Sequence, residues 1–215
     1  KYICIKKIFL QMKKLYSLFL LTIGFLGNAQ IMNIPNSSFK AKLLSASSIN
    51  PIASSVIPDS NGNVSSYNSV DSNGDGEIQV SEAEAIKWLD ISTSNSTNIT
   101  GIEAFINLEF LDCNYNYMNS LNVQGLVNLK YLDCGQNNLT TLNVQGLTNL
   151  VNLYCYNNSL TSLNIQGLTN LVNLYCNNNQ ITSLNIQGLL NLESLSCGYN
   201  QLVTLDVHEL INLKY

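Results

Sequence analysis

The one stretch of this chain whose residue types and spacing could do chemistry runs Asp71-Ser-Asn73-Gly-Asp75-Gly76-Glu77-Ile78-Gln79-Val80-Ser81-Glu82. Three carboxylates, Asp71, Asp75 and Glu82, are forced together there as like charges, which a fold must tolerate unless a cation relieves them. The remaining titratable residues offer less. The single His, His208, stands in a column that otherwise holds Gln (Gln124, Gln145, Gln166, Gln187), as a surface substitution would. Asp112 and Asp133 form a carboxylate pair 21 residues apart. They sit on a sheet face expected to lack the water-excluding pocket that tunes catalytic acids. No nucleophile elbow, phosphate loop or metal-protease signature occurs, so the sequence points away from an enzyme.

Over its full length, Asp71 to Glu82 resembles the twelve-residue calcium loop of the EF-hand family. The resemblance implies Ca2+ as cofactor, with oxygens from Asp71, Asn73 and Asp75 at the first, third and fifth positions. It further implies a sharp turn at Gly76, the backbone carbonyl of Glu77, Gln79 acting through water, and a bidentate Glu82. Ile78 lies where the family places its buried apolar residue. Residues 60 to 70 are rich in Ser, Asn and Gly and do not read as an entering helix, which favours a structural ion over a sensor. Ser81-Glu-Ala-Glu84 carries the capping-box pattern of a short exit helix reaching about Ile86. A nearby start of the same kind, Asp59-Ser-Asn61-Gly-Asn63, has Val64 and Val70 where the turn Gly and closing acid would stand. It reads as a plain Asn-Gly turn.

The elements that must position these groups come from a 21-residue sentence written five times, beginning at Leu108, Leu129, Leu150, Leu171 and Leu192. Leu recurs three residues on (Leu111 to Leu195), Cys two further (Cys113 to Cys197) and Asn at the ninth position (Asn116, Asn137, Asn158, Asn179, Asn200). Leu and Cys alternate with polar or aromatic residues, the period-two pattern of a strand with one buried face. One coil cannot bury that face alone, so the coils are expected to stack with their strands paired as a parallel sheet. The Asn column can satisfy backbone groups where the chain turns while half buried. The return path holds Gly125, Gly146, Gly167 and Gly188 and too much Asn and Thr for a useful helix, so extended or 3₁₀ structure is expected there. Five of the six Cys share one column, where free structural thiols are expected; a straight column does not converge as a tetrahedral metal site.

This LxxLxCxxN pattern resembles the leucine-rich repeat family, and internalin-like surface proteins of bacteria in particular. The resemblance implies a solenoid with its parallel sheet on the concave face and a small helical N-terminal cap. Residues 30–85 are expected to form that cap, 86–107 an irregular first repeat with one residue extra, and 108–215 five full repeats and the start of a sixth. Within the cap, Ser37 to Ala46 reads as an amphipathic helix with an N-cap around Asn36 to Ser38. Leu213-Lys-Tyr215 opens a coil whose Leu and Cys never arrive, as in a fragment. Residues 12–29 read as a signal peptide: Met12, Lys13, Lys14, an apolar run from Leu15 to Leu26, then small residues before Gln30. That run is short for a membrane span. Residues 1–11 read as an over-extended start.

Only 11% of residues are charged and Arg is absent. From Gln30 onward five Lys face fourteen Asp and Glu, a net charge of −9. Such a surface suits neither nucleic acid nor anionic lipid. The third and fifth positions of each repeat face outward on the inner surface: Trp88, Phe110, Tyr131, Asn152, Asn173 and Ser194, then Asp90, Asp112, Asp133, Tyr154, Tyr175 and Ser196. Tyr115, Tyr156 and Tyr199 follow the strands. The candidate ligand-binding residues are therefore Trp88, Phe110, Asp112, Tyr131, Asp133, Tyr154, Tyr156 and Tyr175, for an extracellular protein or glycan. The expected role is attachment by a monomeric secreted or surface-displayed protein. The runner-up is an accessory or spacer module of a longer exported protein.

Overall fold

Each repeat contributes a strand of three residues, because only Leu and its two outward neighbours continue the period-two pattern before the chain turns. The computed structural model describes residues 30–59 and 63–214, so the expectations for residues 1–11 and 12–29 lie outside it. The strands are β1 (Ala53–Ser54), β2 (Trp88–Asp90), β3 (Phe110–Asp112), β4 (Tyr131–Asp133), β5 (Asn152–Tyr154), β6 (Asn173–Tyr175) and β7 (Ser194–Ser196). They form one seven-stranded sheet in sequence order. Every pair from β2 to β7 is parallel, with Leu89, Leu111, Leu132, Leu153, Leu174 and Leu195 as successive partners. β1 runs antiparallel to β2 and closes that edge. The extra residue of the irregular coil is absorbed between β2 and β3 without changing the register.

The core is one continuous cluster built of stacked apolar columns. Leu111, Leu132, Leu153 and Leu174 are fully buried, as are Cys113, Cys134, Cys155 and Cys176, while Cys197 in the last coil is half-buried. All five are free thiols. Burial raises each of them, to about 12 for Cys176, so they stay protonated and unreactive.

Beside this column runs a ladder of buried amides. Asn137 Nδ2 donates to the carbonyls of Cys134 and Gly135 in its own coil and of Cys113 in the coil before, each at 3.1 Å. Its Oδ1 accepts the Met118 N–H at 3.1 Å, again from the preceding coil. Asn158, Asn179 and Asn200 repeat the arrangement. A second, exposed ladder ends each repeat: Asn128 Nδ2 reaches Ile106 O at 3.0 Å, and Asn149, Asn170 and Asn191 do likewise one coil on.

On the convex side of the regular coils, extended residues alternate with tight turns closed between residues three apart. Parallel bridges join Asn122, Asn143 and Asn164, and two consecutive turns follow, closed by Leu126 N–H to Val123 O and Leu129 N–H to Leu126 O. Gly125 permits the first turn by taking φ 90°. Among the described residues a 3₁₀ helix occurs only in the irregular coil, at Ile102–Ala104.

The cap contains α1 (Ser37–Leu44), whose Phe39 N–H is held by Asn36 Oδ1 at 2.8 Å and whose Phe39 and Leu43 are buried. It ends at Leu44, two residues short of the expected Ala46, with Ser45 as its C-cap. The exit helix α2 is Val80–Glu84, not Ser81 to Ile86. Its cap residue is Gln79, whose N–H is accepted by Glu82 Oε2 at 2.9 Å, so the reciprocal box sits two residues before the expected one. Val70, which marked the failure of the upstream loop motif, is buried in the core. Asp59 N–H donates to Asn63 O and Asn63 N–H to Asp59 Oδ1, both at 2.9 Å.

Replacing Asn137 by Ala leaves three buried carbonyls and one N–H without that partner. Urea unfolding should show a loss of about 2–4 kcal/mol for Asn137→Ala, against about 1 kcal/mol or less for Asn128→Ala on the exposed ladder.

Candidate functional site

In the 71–82 loop the chain turns on Gly74 (φ 73°) and Gly76 (φ 82°), where an added Cβ would meet nothing within 4 Å. Asp71 organises the turn: Oδ1 accepts from Gly74 and Asp75 N–H at 2.7 and 3.2 Å, and Oδ2 from Gly76 N–H at 2.9 Å. Glu82, largely buried, closes it by taking Ser72 N–H, Ser72 Oγ and Asn73 N–H on Oε1 at 2.8–3.2 Å. The side chains of Asn73, Asp75 and Gln79 bond to one another at 3.0 Å. Hydrogen bonding to the Glu77 N–H holds the Asp75 carboxyl below its ordinary range. Glu77 pairs with Lys40 of α1 at 2.6 Å, tying loop to helix. All six residues singled out in the sequence thus share one loop. Among the described residues no three His, Cys, Asp or Glu groups converge as a metal cluster, because loop amides and neighbouring side chains occupy the carboxylates. The donor chemistry, hard oxygens throughout, still fits Ca2+.

The inner face carries a continuous run of rings. Tyr67 meets Trp88 edge-on at 5.5 Å; Trp88 stacks on Phe110 at 5.3 Å and Phe110 on Tyr131 at 4.1 Å. The run then crosses from the third to the fifth position, Tyr131 to Tyr154 at 5.3 Å and Tyr154 to Tyr175 at 5.0 Å. Asn152 and Asn173 fill the vacated third position and bond to each other at 2.6 Å. Tyr175 Oη accepts the Ser194 hydroxyl at 3.1 Å. Tyr67 was not legible, since it lies outside the repeat. Tyr156 is not part of the run. It lies over Gly135, where a Cβ would stand 2.5 Å from its ring, and this contact explains a glycine at that position.

Where the rings occupy the third position, the fifth holds Asp90, Asp112 and Asp133 in direct register. Burial among neighbouring side chains, rather than an enclosing pocket, shifts these acids. Trp88 and Asp133 are buried, and Asp112 is half-buried. Burial first, then the charges of Asp133 and Asp90, push the Asp112 carboxyl up to about 7, against the pull of its bond from Asn114 N–H. Asp133 also rises, less freely, because it accepts Gly135 N–H at 2.9 Å and Asn114 Nδ2 at 3.0 Å. Burial likewise raises Tyr131, Tyr154 and Tyr156, the last to about 12. His208 lies on the surface beside Asp206 at 2.5 Å, as expected of a substitution in the Gln column.

The Asp112 pair has a measurable consequence. Its carboxyl binds a proton more tightly folded (about 7) than at the ordinary 3.8. Its contribution to stability is therefore full below about pH 4 and is lost as pH rises through about 7. Asp112→Asn should flatten the decline of Tm between about pH 4 and pH 8 and melt above the wild type at the upper end.

No family model matches the chain, and no curated protein matches it. Solved structures do. A leucine-rich repeat protein of Leptospira interrogans is 29% identical, with a TM-score of 0.59, over 63% of this chain and 37% of its own. An internalin of Listeria monocytogenes covers 84% of this chain and 48% of its own at 21% identity and a TM-score of 0.63. Internalin C2 of the same organism covers 84% and 72% at 23% identity and a TM-score of 0.59. The chain spans less than half the length of the first two, and the internalin likeness is one of fold. Parallel three-residue strands stacked at a 21-residue period, with these neighbours, make the chain a leucine-rich repeat solenoid.

Proposed function

We propose that this solenoid is the recognition part of an exported protein, binding a partner protein through its concave face, with a structural Ca2+ in the cap loop. The observation that carries the reading is the unbroken ring run from Tyr67 to Tyr175, at 4.1–5.5 Å between neighbours. Trp88, Phe110 and Tyr131 stack face to face, and Tyr154 and Tyr175 pack edge-on beyond them, so each ring is closed against a neighbour. That suits the desolvated centre of a protein interface better than the flat face of a sugar. The acidic column beside the rings adds directionality, since a partner bearing Lys or Arg would relieve the repulsion among Asp90, Asp112 and Asp133. The fold shared with internalins is compatible with such a role, and among the described residues no helix is long and apolar enough to cross a membrane.

For the loop, Asp71, Asn73, Asp75, the Glu77 carbonyl, Gln79 and Glu82 would hold the ion. Turning the Asn73 amide over presents its oxygen in place of the nitrogen that now donates to Asp75 and Gln79. Charge neutralisation is what the ion would supply there. The loop touches α1 through Lys40–Glu77, and α2 is held to the first coil by Asn107 Nδ2 on Glu84 O at 2.8 Å. An ion would therefore brace cap against solenoid.

Two measurements check these readings. On immobilised extracellular proteins, Phe110→Ala and Tyr154→Ala should each weaken a binding partner by about 2 kcal/mol, while Val127→Ala on the convex side changes nothing; equal binding by all three removes the concave face from the reading. Millimolar CaCl2 should raise the Tm over that in chelator, and Asp75→Asn should abolish the rise. An unchanged Tm in the wild type would falsify the calcium assignment.

A further inference from the structure

Past the ends of β3, β4 and β5, a cleft of about 300 Å³ opens between three successive coils. Its floor is Asn116 and Asn137, whose amides are spent on the backbone of the ladder. Its rim is different. Tyr115 and Tyr117 are 55% and 58% exposed. Gln136, Asn138 and Asn157 complete the lining. Among the described residues none of these five rim side chains has a hydrogen-bond partner or a ring partner within the chain. Five unspent polar side chains thus stand around one cleft, beside a ladder whose own amides are fully used.

We propose that this cleft binds a neutral oligosaccharide. No charged side chain lines it, so neither an anion nor a cation finds a counterpart. Two open tyrosine faces suit the C–H patches of pyranose rings, and three free amides can donate to and accept from vicinal hydroxyls at once. The volume lies at the lower end of that of small-molecule clefts, matching one or two sugar rings. Single-stranded nucleic acid also stacks on tyrosine, but an acidic chain without Arg repels its phosphates. The inference is independent of the concave face, whose rings pack against one another in a separate run.

The test uses the whole chain and a panel of neutral oligosaccharides: gluco-, xylo-, manno- and N-acetylchito-oligomers, followed by calorimetry and amide NMR shifts. Two variants take residues that other coils carry at the same positions, Tyr115→Asn (as Asn157) and Tyr117→Ser (as Ser159), so both should fold. At least one oligosaccharide should bind at micromolar to millimolar concentration, shifting amides around residues 115–117, 136–138 and 157. Tyr115→Asn and Tyr117→Ser should each weaken it about tenfold, and Phe110→Ala should leave it unchanged. Absence of binding across the panel, binding that survives the double variant, or shifts confined to the concave face would each overturn the proposal.

Discussion

A strand of three residues gives its neighbours too few hydrogen bonds to fix the path of a 21-residue coil, and the buried asparagine amides supply the rest. Each amide spans two coils, giving hydrogens to carbonyls on both and taking one N–H from the coil before, as Asn137 does with Cys113, Cys134 and Met118. The group is therefore satisfied only when consecutive coils are in register. A slip of one residue would bury an unpaired amide at every level, costing about 1–3 kcal/mol each. Hydrophobic stacking drives the coils together, but the amides decide where they stop.

Fixed register has a price on the inner face: whatever stands at one position is stacked on its own kind. For rings and amides this is favourable. Trp88, Phe110 and Tyr131 stack, and Asn152 bonds to Asn173. For carboxylates it is not. Asp90, Asp112 and Asp133 fall into line beside the rings, and Asp112 responds by holding its proton to about pH 7. The sheet thus divides at β4 and β5, where the ring column changes position and the acids end. Its N-terminal part joins stacked rings to acids; its C-terminal part joins tyrosines to uncharged amides. A partner meeting this face meets two chemistries in sequence.

Most of the spine was legible because repetition converts a sequence column directly into a spatial one. Leu111, Cys113 and Asn116 recur with their counterparts at fixed spacing and occupy the depths that spacing implies. What escaped was lateral rather than periodic. Tyr67 reaches Trp88 from a segment with no repeat, so no column announced it. Tyr156 leaves the ring run to cover Gly135, a pairing between two positions that are each irregular within their columns. Asp133 is buried although Asp112, at the same position one coil earlier, is only half-buried, a difference the column does not announce. The capping box moved because Glu82 has two uses, closing the loop through Oε1 and capping α2 through Oε2, and no spacing rule distinguishes them.

That double use bears on how the solenoid begins. A parallel sheet of stacked coils has no natural first strand, and here β1 ends it by running antiparallel to β2, with Asn68 N–H on Ala53 O at 2.8 Å and Ser54 Oγ on Ser66 O at 2.6 Å behind it. The 71–82 loop is what joins this terminus to the first coil. Its carboxylates already bind backbone N–H groups through Asp71 and Glu82, so the loop closes on its own amides while carrying acids a cation would neutralise. On the opposite side, Gly101 at φ 107° lets Asn33 O and Ile34 approach within 3.1–3.2 Å of where a side chain would begin. The N-terminal segment is thereby pressed onto the first coil from both ends of the cap. The coil with the weakest repeat grammar is thus the one held by the most non-repeating contacts, which is what stacking requires of a coil that has a neighbour on only one side.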